Sequence, residues 1–311
     1  MNTILHQVSL YLAHRRKMGY KLRGADTLLA DFARYCATQA PKSPLTTALA
    51  LQWAEQPGLL PATNLGRLSL VRGFARYCAA MDPKVEVPPS FLLHWRLLRR
   101  RAHIFTPEEI GVMLRKAAQL DISRSPLHPQ TYVTLIGLLG CTGLRPGEAI
   151  RLRLTDFNDK AGTLRIGSSK SSPERTIPLH ASCVRALLNY RTVRLKTFPS
   201  GDSLFVNVFG QPPKPTQVER VFRKIARGIE SRGDRPFVRL YDLRHTFATR
   251  IIAQWSKRGD PIAHYLFLLV RYLGHRGFNS TWWYVSADPR SLRYAGNRFF
   301  KFHRSHAEPN L

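Results

Sequence analysis

Residues 129–152, PQTYVTLIGLLGCTGLRPGEAIRL, contain the change of structure around which the rest of the chain is organised. The stretch 129–143 is rich in apolar residues and reads as a buried helix. Gly140 or Gly143 ends it, since glycine tolerates the left-handed conformation that closes a helix. Pro146 is placed to start the next helix, where its missing N–H costs nothing. The loop between them projects Arg145 into a cleft. Glu148 follows three residues later, so one helical turn brings its carboxylate back towards that guanidinium.

Downstream, GTLRIGSSKSSPERTIPL (162–179) alternates on both sides of a Gly/Ser/Pro-rich turn, the pattern of a β-hairpin with Lys170 in the turn. Helical periodicity returns over about 180–196, 216–231, 240–256, 261–273 and 278–285. Within LYDLRHTFATR (240–250), Tyr241, Arg244 and His245 stand at i, i+3 and i+4, which one helical face can present together. His245 points about 100° away from its neighbour Arg244 and is not a clean substitute for Tyr241. His275 follows YLG, and Tyr284 comes after a short Ser-Thr-Trp-Trp run.

Upstream, TPEEIGVMLRKAAQL (106–120) opens with a cap, a proline in the first turn and early acids. Residues 1–88 carry four helical patterns, broken by APKSP and PGLLPATN, with Ser43 and Thr63 as candidate helix starts. The phrase FARYC occurs twice, at 32–36 and 74–78. Two similar helices about one core and coincidental patterning both fit it. The expected architecture is mainly α with a small β-sheet, in two domains. These are a helical domain over 1–88, a basic linker over 89–104, a mixed α/β domain over 105–290, and a basic, aromatic tail over 291–311. The linker holds Arg96, Arg99, Arg100 and Arg101, suited to lying along a phosphate backbone.

The chain has 311 residues and 48 Lys+Arg against 20 Asp+Glu, a formal charge of +28. Such an excess attracts polyanions, and nucleic acid is the natural counter-ion. No uncharged apolar run is long enough to span a membrane, and the N-terminus lacks the marks of a signal peptide. The four cysteines match neither a zinc pattern nor a disulfide framework and read as reduced thiols, which places the protein in the cytoplasm.

The candidate chemical groups are two guanidiniums (Arg145, Arg244), one ammonium (Lys170), one imidazole (His275) and the phenols of Tyr241 and Tyr284. They include no carboxylate triad that would hold a divalent metal. The set suits a phosphodiester held by cations and attacked by a side-chain nucleophile.

The phrases TGLRPGE, LRHTFAT and LGH followed by STWWY, in this order, resemble the tyrosine recombinase (phage integrase) family over about 104–290. Residues 1–88 resemble its helical core-binding domain only loosely. The resemblance implies that Tyr284 attacks the scissile phosphate without metal or cofactor, giving a 3′-phosphotyrosyl link. It implies that Arg145, Arg244 and His275 hold the phosphate and that Lys170 protonates the leaving 5′ oxygen. Glu148 supports Arg145. The family's commoner H-x-L-R-H stands here as Y-D-L-R-H, so Tyr241 occupies a histidine position. A phenol donates a hydrogen bond but is a poor base near neutral pH. The implied partner is duplex DNA, with assembly into a tetramer on it, the tail docking on a neighbouring subunit, and room for accessory proteins. The implied task is integration or excision of a mobile element. A non-catalytic DNA-binding relative is the alternative that the Tyr241 replacement favours.

Overall fold

The computed structural model describes residues 4–90 apart from 23 and 42, residue 92, residues 101–169, 172–258, 260, 262–277, 280, 281 and 284. The chain divides into two compact units, Met1–Arg99 and Arg100–Leu311.

The first unit is built from α1 (Ile4–Lys17), α2 (Ala25–Gln39), α3 (Thr47–Ala54) and α4 (Pro61–Ala79). Leu29, Phe32, Trp53, Val71 and Phe74 fill its core. Both FARYC copies bury their Phe and Cys, on α2 and α4, because those positions are one helical turn apart. The expected starts shift. Thr46, not Ser43, caps α3 by accepting from the N–H of Leu49 at 3.2 Å, and Pro61, not Thr63, opens α4.

The second unit contains α5 (Pro107–Ala118), α6 (Leu127–Thr142), the short α7 (Pro146–Ile150), β1 (Phe157–Asn158), β2 (Thr163–Ile166), β3 (Arg175–Pro178), α8 (Ala181–Thr197), α9 (Pro215–Ile225), α10 (Asp242–Arg258) and α11 (Ile262–Leu273). Its α6 packs against α5, α8 and α10, which explains why the helix is apolar all round. Thr106 and Glu109 form the capping box that opens α5. The hairpin pairs β2 with β3 antiparallel, Leu164 opposite Ile177 and Ile166 opposite Arg175. Strand β1 adds a third, edge position that the sequence pattern did not announce. Helix α9 ends at Ile225, short of 231, because the chain turns at Gly228 with φ +88°. Helix α10 begins at Asp242 and runs to Arg258, two residues past the expected end.

The expected helix at 278–285 falls largely outside the described residues, as do Lys170, Arg96, Arg99, Arg100 and the tail 291–311. Arg101 is described. Its backbone N–H and its Nε donate to Asp234 at 2.7 and 2.9 Å. Cys36, Cys78, Cys141 and Cys183 are all free, and the sulfurs of Cys141 and Cys183 lie 3.4 Å apart. No described helix is long and apolar enough to cross a membrane.

Candidate active site

Helix α6 closes on Gly143, whose φ of +61° is left-handed. A Cβ there would stand 2.4 Å from the Phe247 ring of α10, so glycine is required twice over. The next turn presents Arg145 at the N-cap of α7. Its backbone N–H donates to Glu148 Oε2 at 3.0 Å and its Nη1 to Glu148 Oε1 at 2.8 Å. The i, i+3 spacing read from the sequence therefore closes as a pair of bonds, both donated by Arg145.

Arg244 lies on the first turn of α10 and is 0% exposed. Its Nη1 donates to the Gly143 carbonyl at 2.9 Å and its Nη2 to the Leu273 carbonyl at 2.7 Å. The adjoining carbonyl of Gly274 accepts from Arg145 Nη2 at 3.1 Å. Two consecutive carbonyls at the C-terminal end of α11 thus receive one guanidinium each. That is the negative end of the helix dipole, which favours cations. Burial lowers the pKa of Arg244 from its ordinary value, the nearby Tyr284 raises it, and the neighbouring charge of Arg145 lowers it again. The Nε of Arg244 is buried with no partner among the described residues.

Gly274 carries φ +66° and closes α11, and a Cβ on it would meet Ser172 Oγ at 2.1 Å. His275 follows at once. Its Nε2 lies 2.8 Å from Arg244 Nη2 and its Nδ1 lies 2.6 Å from Thr281 Oγ1. Tyr284 stacks on this imidazole, with ring centroids 6.2 Å apart and planes at 15°. Its phenol is buried, and burial raises its pKa. Arg244 opposes that rise as a nearby charge and as a hydrogen-bond donor.

Tyr241 joins the same cluster through His245, whose ring lies between the two tyrosines. His245, set aside on helical angle, packs its ring 5.2 Å from Tyr241 and 5.4 Å from Tyr284. Arg145, Glu148, Tyr241, Arg244, His275 and Tyr284 are therefore brought together. Lys170 is outside the described residues, but its flanking Ser169 and Ser172 are paired across the hairpin turn.

Sequence reasoning missed Arg175. It stands on β3, and its side chain reaches Glu148 Oε2 at 2.9 Å and Oε1 at 3.2 Å, the Tyr272 carbonyl at 2.7 Å and Ser172 Oγ at 2.9 Å. The signal was available. Arg175 shares strand parity with Ile177, which is 1% exposed, so it lies on the apolar face of the hairpin. An arginine there needs a buried counter-ion.

Two guanidiniums braced on the carbonyls of Leu273 and Gly274 thus stand beside an imidazole and the buried phenol stacked on it. Residues 105–290 match the model of the phage integrase family. Over 307 residues the chain is 36% identical to "Putative integrase/recombinase y4rB" of Sinorhizobium fredii, covering 96% of this chain and 97% of that one. It is 25% identical over 169 residues to the tyrosine recombinase XerD of Staphylococcus saprophyticus, 53% of each chain. Among solved structures, the Tn1549 transposon integrase in complex with transposon right-end DNA superposes with a TM-score of 0.67 at 18% identity, over 94% of this chain and 98% of that one. A lambda integrase dimer bound to a core site gives 0.63, also at 18% identity, over 88% and 94%. The chain belongs to the phage integrase family of tyrosine-type DNA recombinases.

Proposed function

We propose that this protein is a site-specific recombinase that cuts and rejoins duplex DNA through Tyr284, without metal. The observation that carries this reading is the gathering of Arg145, Arg244 and His275 at the C-terminal end of α11, with the buried phenol of Tyr284 stacked on His275. The phenol gives up its proton to solvent as its oxygen attacks the scissile phosphorus. The P–O5′ bond breaks, and the 5′ oxygen leaves with a proton from Lys170. Arg145 and Arg244 take up the charge that builds on the nonbridging oxygens. The buried Nε of Arg244 supports this role, because an unused buried donor costs about 1–3 kcal/mol unless a ligand oxygen accepts from it. His275 is a third phosphate donor, and Tyr241 donates a hydrogen bond from the position of the first histidine in the commoner H-x-L-R-H pattern. The free 5′ hydroxyl of a second duplex reverses the reaction.

The helical domain over 1–88 and the basic linker grip the DNA, through Arg96, Arg99, Arg100 and Arg101. Exposed Arg220, Arg223, Lys224 and Arg227 on and just beyond α9 add cations on one face of the catalytic unit. Assembly is as a tetramer on DNA in the cytoplasm, with the tail over 291–311 docked on a neighbouring subunit. The similarity to integrase relatives supports service to a mobile element.

The test uses sites recovered by selection from random duplexes. A selected duplex nicked beside the scissile phosphate traps the covalent intermediate. An adduct that survives denaturation and forms in EDTA is the expected result. Binding without attachment would favour the non-catalytic reading, and loss in EDTA restored by magnesium would replace the chemistry.

A further inference from the structure

Glu148 carries one negative charge, and two guanidiniums contact it. Arg175 grips it as a fork, one Nη on each carboxylate oxygen. Arg145 gives it one side-chain donor and turns its other arm to the Gly274 carbonyl. The remaining contacts of Arg175 also face inward, to the Tyr272 carbonyl and Ser172 Oγ, and its side chain is 9% exposed against 19% for Arg145. Burial pushes the Glu148 carboxyl up. Arg175, by hydrogen bond and by charge, pulls it down more than Arg145 does, and the net is below the ordinary carboxylate value.

One carboxylate between two cations leaves one positive charge over. Arg175 has committed its fork and its other donors to the protein, so the surplus belongs to Arg145. We infer that Arg175 is the counter-ion of Glu148, and that this pairing leaves the charge of Arg145 available to the scissile phosphate. The inference rests on the phosphate-binding role proposed for Arg145. It makes Arg175 a positioning residue that never touches the DNA. If the charge of Arg175 is removed, Glu148 closes on Arg145 as a neutral pair. The cleft then loses its surplus charge although Arg145 is still present.

A pure brace and a counter-ion differ in what restores activity. Single-turnover cleavage of the nicked, selected duplex is compared for the wild type, Arg175→Gln, Arg175→Lys and Glu148→Gln/Arg175→Gln, with folding checked by thermal melting. Arg175→Gln should cleave roughly a hundredfold more slowly, in line with loss of one transition-state cation. Removing the carboxylate as well frees Arg145 again, so the double variant should be roughly tenfold faster than Arg175→Gln, a non-additivity expected only of coupled charges. Arg175→Lys keeps the charge and loses the fork, and should stay within roughly tenfold of the wild type. A double variant no faster than Arg175→Gln overturns the inference. If Arg175→Gln does not fold, Arg175→Lys decides: a loss beyond a hundredfold in a folded Lys variant overturns it. Normal wild-type cleavage with either of these results leaves the recombinase reading standing. A wild type that binds but never attaches defeats both.

Discussion

Arg244 Nη2 and His275 Nε2 lie 2.8 Å apart. A guanidinium has no acceptor, so Nε2 must present its lone pair. The ring proton then sits on Nδ1 and is donated to Thr281 Oγ1 at 2.6 Å. The imidazole is held as a neutral acceptor turned towards Arg244. To donate to a phosphate oxygen it must give up that contact and carry a proton on Nε2, by protonation or by the tautomer in which the Thr281 hydroxyl donates to Nδ1, which ties its role to the arrival of the anion. Thr281 fixes the ring, and Thr281→Val keeps the shape while removing the acceptor. Single-turnover cleavage should fall about tenfold, the worth of one hydrogen bond at ~1.4 kcal/mol. Affinity for uncleaved DNA should hold. Unaltered cleavage would mean that the ring is oriented by something else.

Gly274 combines a left-handed φ of +66° with contact to Ser172 and Arg175. Gly274→Ala strains the backbone and pushes the end of α11 away from the hairpin. The expected cost is about 2 kcal/mol, seen as a melting temperature lower by roughly 4–8 °C. A melting curve that overlays the wild type would show that this junction yields freely.

Acid should loosen the same junction through Glu148. Its folded carboxyl lies below the ordinary value, so its contribution to stability is present above about pH 4.3 and is lost as pH falls through the depressed value. Glu148→Gln removes that titration. Denaturant unfolding should show the stability gap between wild type and variant narrowing as pH drops from about 5 towards 2. A gap independent of pH over that range would argue against an ionised Glu148.

The alkaline side carries the opposite sign. Burial pushes Tyr132 and Tyr190 up to about 12 and raises Tyr272 and Tyr284 as well. A group raised above its unfolded value near 10 contributes stability that is whole below that pH and lost as pH climbs through the folded value. Phenolate absorbance should therefore rise in two stages. The second stage should coincide with loss of helical circular dichroism. One smooth titration near pH 10 with helices intact would contradict the burial of these rings.

What the sequence disclosed was mostly local. The Gly143 stop, the Pro146 start and the Arg145–Glu148 pair involve residues within five positions of one another, where helical spacing dictates the contact. The hairpin alternation behaves likewise. Arg175 escaped because its partners, Glu148 and Tyr272, are 27 and 97 positions away, and only tertiary packing joins them. His245 was judged by its angle to Arg244, but the ring that matters to it is that of Tyr284, on another segment. The start of α3 moved to Thr46 because the hydroxyl that reaches the Leu49 N–H wins over a serine outside the turn.

The most direct test concerns which phenol becomes linked to DNA, since the rings of Tyr241 and Tyr284 both pack against His245. The trapped adduct is digested with nuclease and protease, and the nucleotide-bearing peptide is read by mass spectrometry. The account predicts the phosphotyrosyl link at Tyr284, and no adduct from Tyr284→Phe although DNA is still bound. A link at Tyr241, or an adduct of normal yield from Tyr284→Phe, would contradict it.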